Sequence, residues 1–179
     1  MVFTNEKWNG TRDIVIYSNY HKYWLDRERK IKNPLFDVFS GKILDLKEGK
    51  EDAIRYFYKL LDEEICRDVT VCVVPSSDAR NLESGISQLA KRLAKNGRID
   101  KVHYLMRSKS IDKLAYGGAR DVQVHLNSIV ADEKMTIEGD VILLVDDVTT
   151  TGNSLYACKD LLMQKGASSV EMFAIGKAI

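Results

Sequence analysis

The residues of this 179-residue chain best suited to chemistry lie together in the stretch from Val141 to Ser154, VILLVDDVTTTGNS. An apolar run of strand type is followed at once by two carboxylates, Asp146 and Asp147. Thr149, Thr150, Thr151, Gly152, Asn153 and Ser154 come next, with helical spacing starting at Asn153. Ligands of open α/β sheets bind beyond the carboxyl ends of the strands. Backbone N–H groups of residues 150–154 would face outward at the start of a helix, where the dipole favours a phosphate and Gly152 lets the backbone come close. The hydroxyls of Thr150, Thr151 and Ser154 add donors. An acid pair just ahead of the loop would repel that anion unless it faced something else. Two adjacent ionised carboxylates suit a vicinal diol, or a divalent cation reached directly or through water. The fragment T-x-G-x-S alone also reads as a helix cap with two ordinary loop acids. The whole string between a buried strand and a helix also suits a phosphorylated sugar, with the loop on the phosphate and the acids on the hydroxyls.

Two further segments carry polar groups suited to anions. The strand-to-loop junction VVPSSDAR places Ser76, Ser77, Asp78 and Ala79 in a turn, which reads equally well as a plain chain reversal. The polar stretch after Arg107 carries Lys109, Lys113 and Arg120, cations able to partner phosphate or simply to line a solvated loop. His125 reads as a packed or surface histidine.

The string from Val141 to Ser154 resembles the signature of the type I phosphoribosyltransferases, in which this loop binds the 5-phosphate of phosphoribosyl pyrophosphate (PRPP). The resemblance extends from Val69 to the end, about 110 residues. It implies that Asp146 and Asp147 hold the ribose 2- and 3-hydroxyls and that Thr149 to Ser154 hold the 5-phosphate. Ser76, Ser77, Asp78 and Ala79 would then grip pyrophosphate through backbone amides. Arg107, Lys109 and Lys113 would close over it and join the acid pair as the catalytic set. The implied cofactor is Mg²⁺, met by Asp146 and Asp147 directly or through water, with PRPP as substrate. The implied reaction transfers the 5-phosphoribosyl group to a nitrogenous acceptor with release of pyrophosphate. A second reading is a PRPP- or nucleotide-sensing regulator without turnover, with Arg27, Arg29, Lys30 and Lys32 as a basic feature to test for nucleic acid. Within the superfamily, Val74-Pro75, Gly85, Gln88, Leu93-Ala94 and Met106-Arg107 are similar to the competence-protein-F type, without its cysteine zinc module. The orotate enzymes share the Asp-Val-x-Thr-x-Gly flavour of the loop. The 6-oxopurine enzymes place an acid where this chain has Thr150, which argues against hypoxanthine or guanine as acceptor. Dimers are common in the family, and no residue here marks one.

The elements that must position these groups follow from the pattern. Val69 to Pro75 is a nearly continuous apolar run of β-branched type, as in a strand covered on both faces. Leu82 to Asn96 has one apolar face and stops at Asn96-Gly97; Lys101 to Arg107 reads as the next strand. Val141 to Val145, a helix from Asn153 to Lys165 and a strand from Ser169 to Ile175 complete the alternation. The expectation is an α/β fold of the type I phosphoribosyltransferase kind: a mainly parallel twisted sheet flanked by helices, with a small amino-terminal accessory (hood) lobe. Residues 1–68 form the lobe, holding Tyr17, Tyr20, Tyr23, Trp24 and a helix from Lys50 to Ile65. Residues 69–179 form the PRPP-binding core, with a flexible loop at 108–118 and a short segment around Val122 to Ile129.

Composition bounds the rest. At roughly 150 residues per domain the chain is one domain with room for a small lobe. With 45% hydrophobic and 30% charged residues it is a globular protein, not a disordered one. Lys plus Arg number 27 against 26 Asp plus Glu, so no large nucleic-acid or anionic-lipid footprint is expected, and the partners are small molecules. No membrane-length apolar run and no signal-peptide pattern is present, which makes the cytoplasm the expected compartment. Cys66, Cys72 and Cys158 are scattered singly and read as small apolar residues.

Overall fold

Strands that are apolar on both faces need cover on both sides, and the chain provides it in three layers. A computed structural model describes residues 1–11, 13–110 and 127–179. In chain order the elements are β1 (Val15–Tyr20), β2 (Trp24–Asp26), β3 (Ile31–Lys32), α1 (Val38–Lys47), α2 (Glu51–Leu61), β4 (Thr70–Val73), α3 (Gly85–Leu93), β5 (Ile99–Asp100), β6 (Leu105–Arg107), β7 (Ile129–Ala131), β8 (Val141–Thr149), α4 (Asn153–Gln164) and β9 (Ser169–Ala178). The central sheet has five strands in the order β1-β9-β8-β4-β5, and every pairing in it is parallel. Two antiparallel ribbons, β2–β3 and β6–β7, lie outside it. The α/β class expected from the alternation is the class observed.

The period-two rule of a strand sorts the core. Val71, Val73, Leu143, Val145, Phe173 and Ile175 pack with Ile43 and Leu46 of α1, Phe57 of α2 and Leu89 of α3. Cys72, Ile142, Leu144, Met172 and Ala174 pack with Leu155, Cys158 and Leu162 of α4, joined by Tyr104 and Ile129. The chain leaves β4 through α3 toward β5 on one side and leaves β8 through α4 toward β9 on the other, with the two helices on opposite faces. The boundary between β4 and β8 is therefore a topological switch point, where open sheets place their ligand crevice. The strands part there. β4 follows β8 as far as Val73↔Val145, while β8 runs on to Thr149 paired only with β9.

Three regions differ from the sequence expectation. Residues 1–68 were expected as a lobe packed on the sheet, but they contribute its edge: β1 pairs with β9 over Val15↔Phe173 to Tyr20↔Ala178. α1 and α2 cover one face of the same sheet, so the segment and the core share one hydrophobic interior. Lys101 to Arg107 is not one strand. The Asp100 carboxylate accepts the Val102 N–H, and Tyr104 N–H closes a turn on the Lys101 carbonyl, so β5 ends and β6 leaves to pair with β7. The helix expected from Lys50 to Ile65 ends at Leu61 and tightens into a 3-10 turn at Asp62–Glu64.

Candidate functional site

Asp146 and Asp147 stand on the free end of β8, past the point where β4 has turned away. Asp146 retains part of its surface at the crevice, but the atoms packed around it desolvate the carboxyl. Burial first, and the adjacent Asp147 second, push its pKa up to about 8, against the pull of Lys47, the Asp147 N–H and Arg107. Burial beside the adjacent Asp147 thus favours the protonated form of Asp146 in the unliganded chain. Asp147 N–H donates to Asp146 Oδ1 at 2.8 Å.

Asp147 has a partner that the sequence did not suggest. Lys47, the last residue of α1, places Nζ 2.7 Å from Asp147 Oδ1 across 100 residues of sequence. Burial alone would lower the Lys47 pKa, yet Asp147, its hydrogen bond and Asp146 together raise it. Tyr20, at the end of β1, belongs to the same group: burial raises its phenol, with Lys47 and Asp147 acting on it in opposite senses. A cation near the end of a helix has favourable dipole energy and gives no hint of its target, which is why sequence reading missed Lys47.

The loop that follows folds as its residues require. Thr149 is buried, in register with Lys177 of β9; Thr150 and Thr151 are exposed. Gly152 is the N-cap of α4 with φ +83, a left-handed backbone for which glycine is the fitting residue. A Cβ there would lie 2.4 Å from Ile14 Cδ1 and 3.0 Å from the Tyr156 ring. No side chain caps the α4 N-terminus from the N-cap position, and helical bonding starts with Tyr156 N–H on the Gly152 carbonyl. Asn153 and Ser154 are half-buried in the first turn.

Across the crevice, the chain after β4 turns through Ser76, Ser77, Asp78 and Ala79. Asp78 N–H donates to Ser76 Oγ at 3.2 Å, and Ala79 N–H donates to Ser110 Oγ at 3.1 Å. Asp78 is drawn into a side-chain bond with Arg80, which holds its carboxyl below the usual range. Arg107 is 7% exposed. Its guanidinium donates to the Ser76 carbonyl at 3.1 Å, the Pro75 carbonyl at 3.3 Å and Ser128 Oγ at 2.6 Å. It therefore braces the turn from beneath rather than arching over it. Burial lowers its pKa from the usual guanidinium value, with Cys158 and Asp146 acting the other way. Lys109 is exposed beside this turn. Lys113, Arg120, His125 and most of the 108–118 loop lie outside the described residues.

The structure thus brings the acid pair, the Thr149–Ser154 loop, the Ser76–Ala79 turn and Arg107 to the carboxyl ends of β4 and β8. Tyr20 is buried and Tyr17 is half-buried and stacked on Phe39, whereas Tyr23 packs edge-on against Trp24 and Phe36 beside β2. Cys72 and Cys158 are fully buried thiols whose pKa burial pushes up, Cys72 to about 12. Among the described residues no group of three or more His, Cys, Asp or Glu side chains is assembled for a metal ion. No helix among them is long and apolar enough to cross a membrane.

No family model matches the chain. Among curated proteins it is similar to an HGPRTase-like protein of Halobacterium salinarum strain R1, 24% identical over 155 residues, which cover 79% of this chain and 80% of that one. A protein of the same name from strain NRC-1 matches to the same extent. Among solved structures it is similar to a hypoxanthine phosphoribosyltransferase from Staphylococcus aureus, with a TM-score of 0.39, 19% identity and coverage of 76% of this chain and 74% of that one. The hypoxanthine-guanine phosphoribosyl transferase of L. donovani gives a TM-score of 0.39 and 17% identity over 74% of this chain and 71% of that one.

Proposed function

We propose that the protein is a PRPP-dependent phosphoribosyltransferase of the type I kind, transferring the 5-phosphoribosyl group to a nitrogenous acceptor. The observation that carries this reading is the run along one strand end: Asp146 and Asp147 on the free part of β8, followed directly by the loop closing on Gly152 at the start of α4. The HGPRTase-like name of the curated relatives agrees with it. In this reading the acid pair holds the ribose diol, the Thr149–Ser154 loop the 5-phosphate, and Ser76, Ser77, Asp78 and Ala79 the pyrophosphate. Arg107, Lys109 and Lys113 supply positive charge on the pyrophosphate side. The likeness to the competence-protein-F type, without a zinc module, is part of the same proposal.

The acceptor nitrogen attacks C1 of the ribose while the C1–O bond to pyrophosphate breaks and its electron pair leaves with the pyrophosphate. Positive charge develops on the ribose ring. The protein contributes position, by fixing both ends of the sugar phosphate, and a fixed field from Arg107 and the turn at the leaving group. Mg²⁺ is bound in such sites by one or two carboxylates together with substrate phosphates; Asp147, and Asp146 once it gives up its proton, would hold a cation that arrives with PRPP, and that cation would neutralise the leaving charge. The relatives' name favours a 6-oxopurine acceptor, while Thr150 stands where those enzymes place an acid.

Pyrophosphate release from Mg²⁺ and PRPP, measured across a panel of hypoxanthine, guanine, adenine, orotate and simple amines, tests the reading and separates these acceptors. Release that depends on one acceptor is expected. Saturable PRPP binding with no release for any acceptor would make the protein a PRPP-sensing module instead, and absence of both would remove the reading.

A further inference from the structure

We propose that Lys47 determines sugar specificity at this site: a built-in cation that fixes one oxygen of Asp147 and leaves the other to a ribose hydroxyl. The inference rests on the phosphoribosyl reading above and deepens it. Both contacts made by the Asp147 side chain fall on the same atom, since Oδ1 accepts from Lys47 Nζ at 2.7 Å and from the Val148 N–H. Oδ2 has no hydrogen-bond partner among the described residues. A carboxylate tied by two donors at one oxygen cannot swing freely, so its second oxygen is set before a ligand arrives.

The position of Lys47 is built into the fold. α1 sinks toward the sheet through Ile43 and Leu46, both fully buried. Two glycines make room for it. A Cβ on Gly85, at the start of α3, would lie 1.6 Å from the Leu46 carbonyl oxygen, one residue before Lys47. A Cβ on Gly176 of β9 would lie 2.8 Å from Ile43 Cδ1 and 2.9 Å from Tyr20 Cβ. The last turns of α1 are thereby seated against α3 and β9. The pair stays open to solvent, with side-chain exposures of 38% for Lys47 and 19% for Asp147, so a ligand can reach it. A preset acceptor distinguishes a sugar that carries the matching hydroxyl from one that lacks it, because only the former meets an oxygen already aimed at it.

The test compares binding of ribose 5-phosphate, its 2-deoxy and 3-deoxy analogues, and inorganic phosphate to wild type, Lys47→Met and Lys47→Arg, with a melting curve for each protein. Wild type is expected to prefer ribose 5-phosphate over at least one deoxy analogue by about tenfold or more. Lys47→Met should bring ribose 5-phosphate down to the level of that analogue while leaving the analogue and inorganic phosphate within about twofold, and Lys47→Arg should restore most of the preference. An equal loss for all four ligands would reduce Lys47 to general charge or structure and overturn the proposal. Unchanged or tighter ribose 5-phosphate binding in Lys47→Met would also overturn it, the latter by making Lys47 a competitor of the sugar. If wild type binds none of the sugars, the phosphoribosyl reading itself fails, a result distinct from loss of discrimination alone.

Discussion

Two buried arginines serve the two ends of the sheet, and the difference between them marks where function lies. Arg98, just before β5, has a side chain only 4% exposed. It donates to the carbonyls of Asp62, Ile65, Cys66 and Leu93 and forms an ion pair with the Asp62 carboxylate. Arg107, at the carboxyl ends of the strands, has the same kind of task, binding the Pro75 and Ser76 carbonyls and the Ser128 hydroxyl. No carboxylate touches it among the described residues, and Asp146 acts on it only through space. At the amino end the charge is neutralised and the arginine is a structural pin. At the carboxyl end the guanidinium is held in place by neutral groups, and in the proposed function its charge is left for the pyrophosphate.

Removing Arg98 should give the largest effect. Arg98→Met breaks the buried ion pair and leaves Asp62 facing several unpaired carbonyls, so a loss of about 3–5 kcal/mol is expected in urea denaturation, with PRPP affinity per folded molecule unchanged. Arg107→Met should cost less stability, about 1–3 kcal/mol from carbonyls left without donors. It should weaken PRPP much more than ribose 5-phosphate, which has no pyrophosphate. Equal weakening of both ligands, or of neither, would make Arg107 a second Arg98 and break the contrast.

The smallest effect concerns the acid that Arg107 does not reach. The Asp146 pKa is raised to about 8 in the folded chain, so the folded state holds a proton that the unfolded state releases from about pH 4 upward. That contribution to stability is complete below the unfolded value and is lost as pH rises toward 8. Asp146→Asn, which does not titrate, should therefore gain in melting temperature relative to wild type as pH goes from 4 to 8. A difference that stays flat across this range would mean that Asp146 ionises normally.

How much of this was legible in the sequence depended on distance along the chain. The candidate site was readable from β8 to α4 because strand, acid pair, loop and helix follow one another within the stretch from Val141 to Gln164, whereas the switch point needed the strand order. The pairing of Lys47 with Asp147 was not, because it joins residues 100 apart through a helix, α1, whose apolar residues Val38, Phe39, Ile43, Leu44 and Leu46 do not form one clean stripe. β1 was hidden for a related reason. Its aromatic residues read as part of a separate lobe, while its parallel pairing with β9 joins the two ends of the chain. The sequence placed Arg107 at the end of a strand beside the site, but only the β6–β7 ribbon reveals that it works from beneath the turn.

The central claim, that the crevice between β4 and β8 is a PRPP site built on the acid pair, is tested most directly by thermal melts of wild type and Asp147→Asn with and without Mg²⁺ and PRPP. Ligand at a hundred times its dissociation constant adds ~2.7 kcal/mol of stability, a rise of roughly 5–10 °C for a chain of this size. The account predicts that rise in wild type and its loss in Asp147→Asn, with both proteins folded beforehand. An equal rise in the variant, or none in wild type at millimolar PRPP, would contradict it.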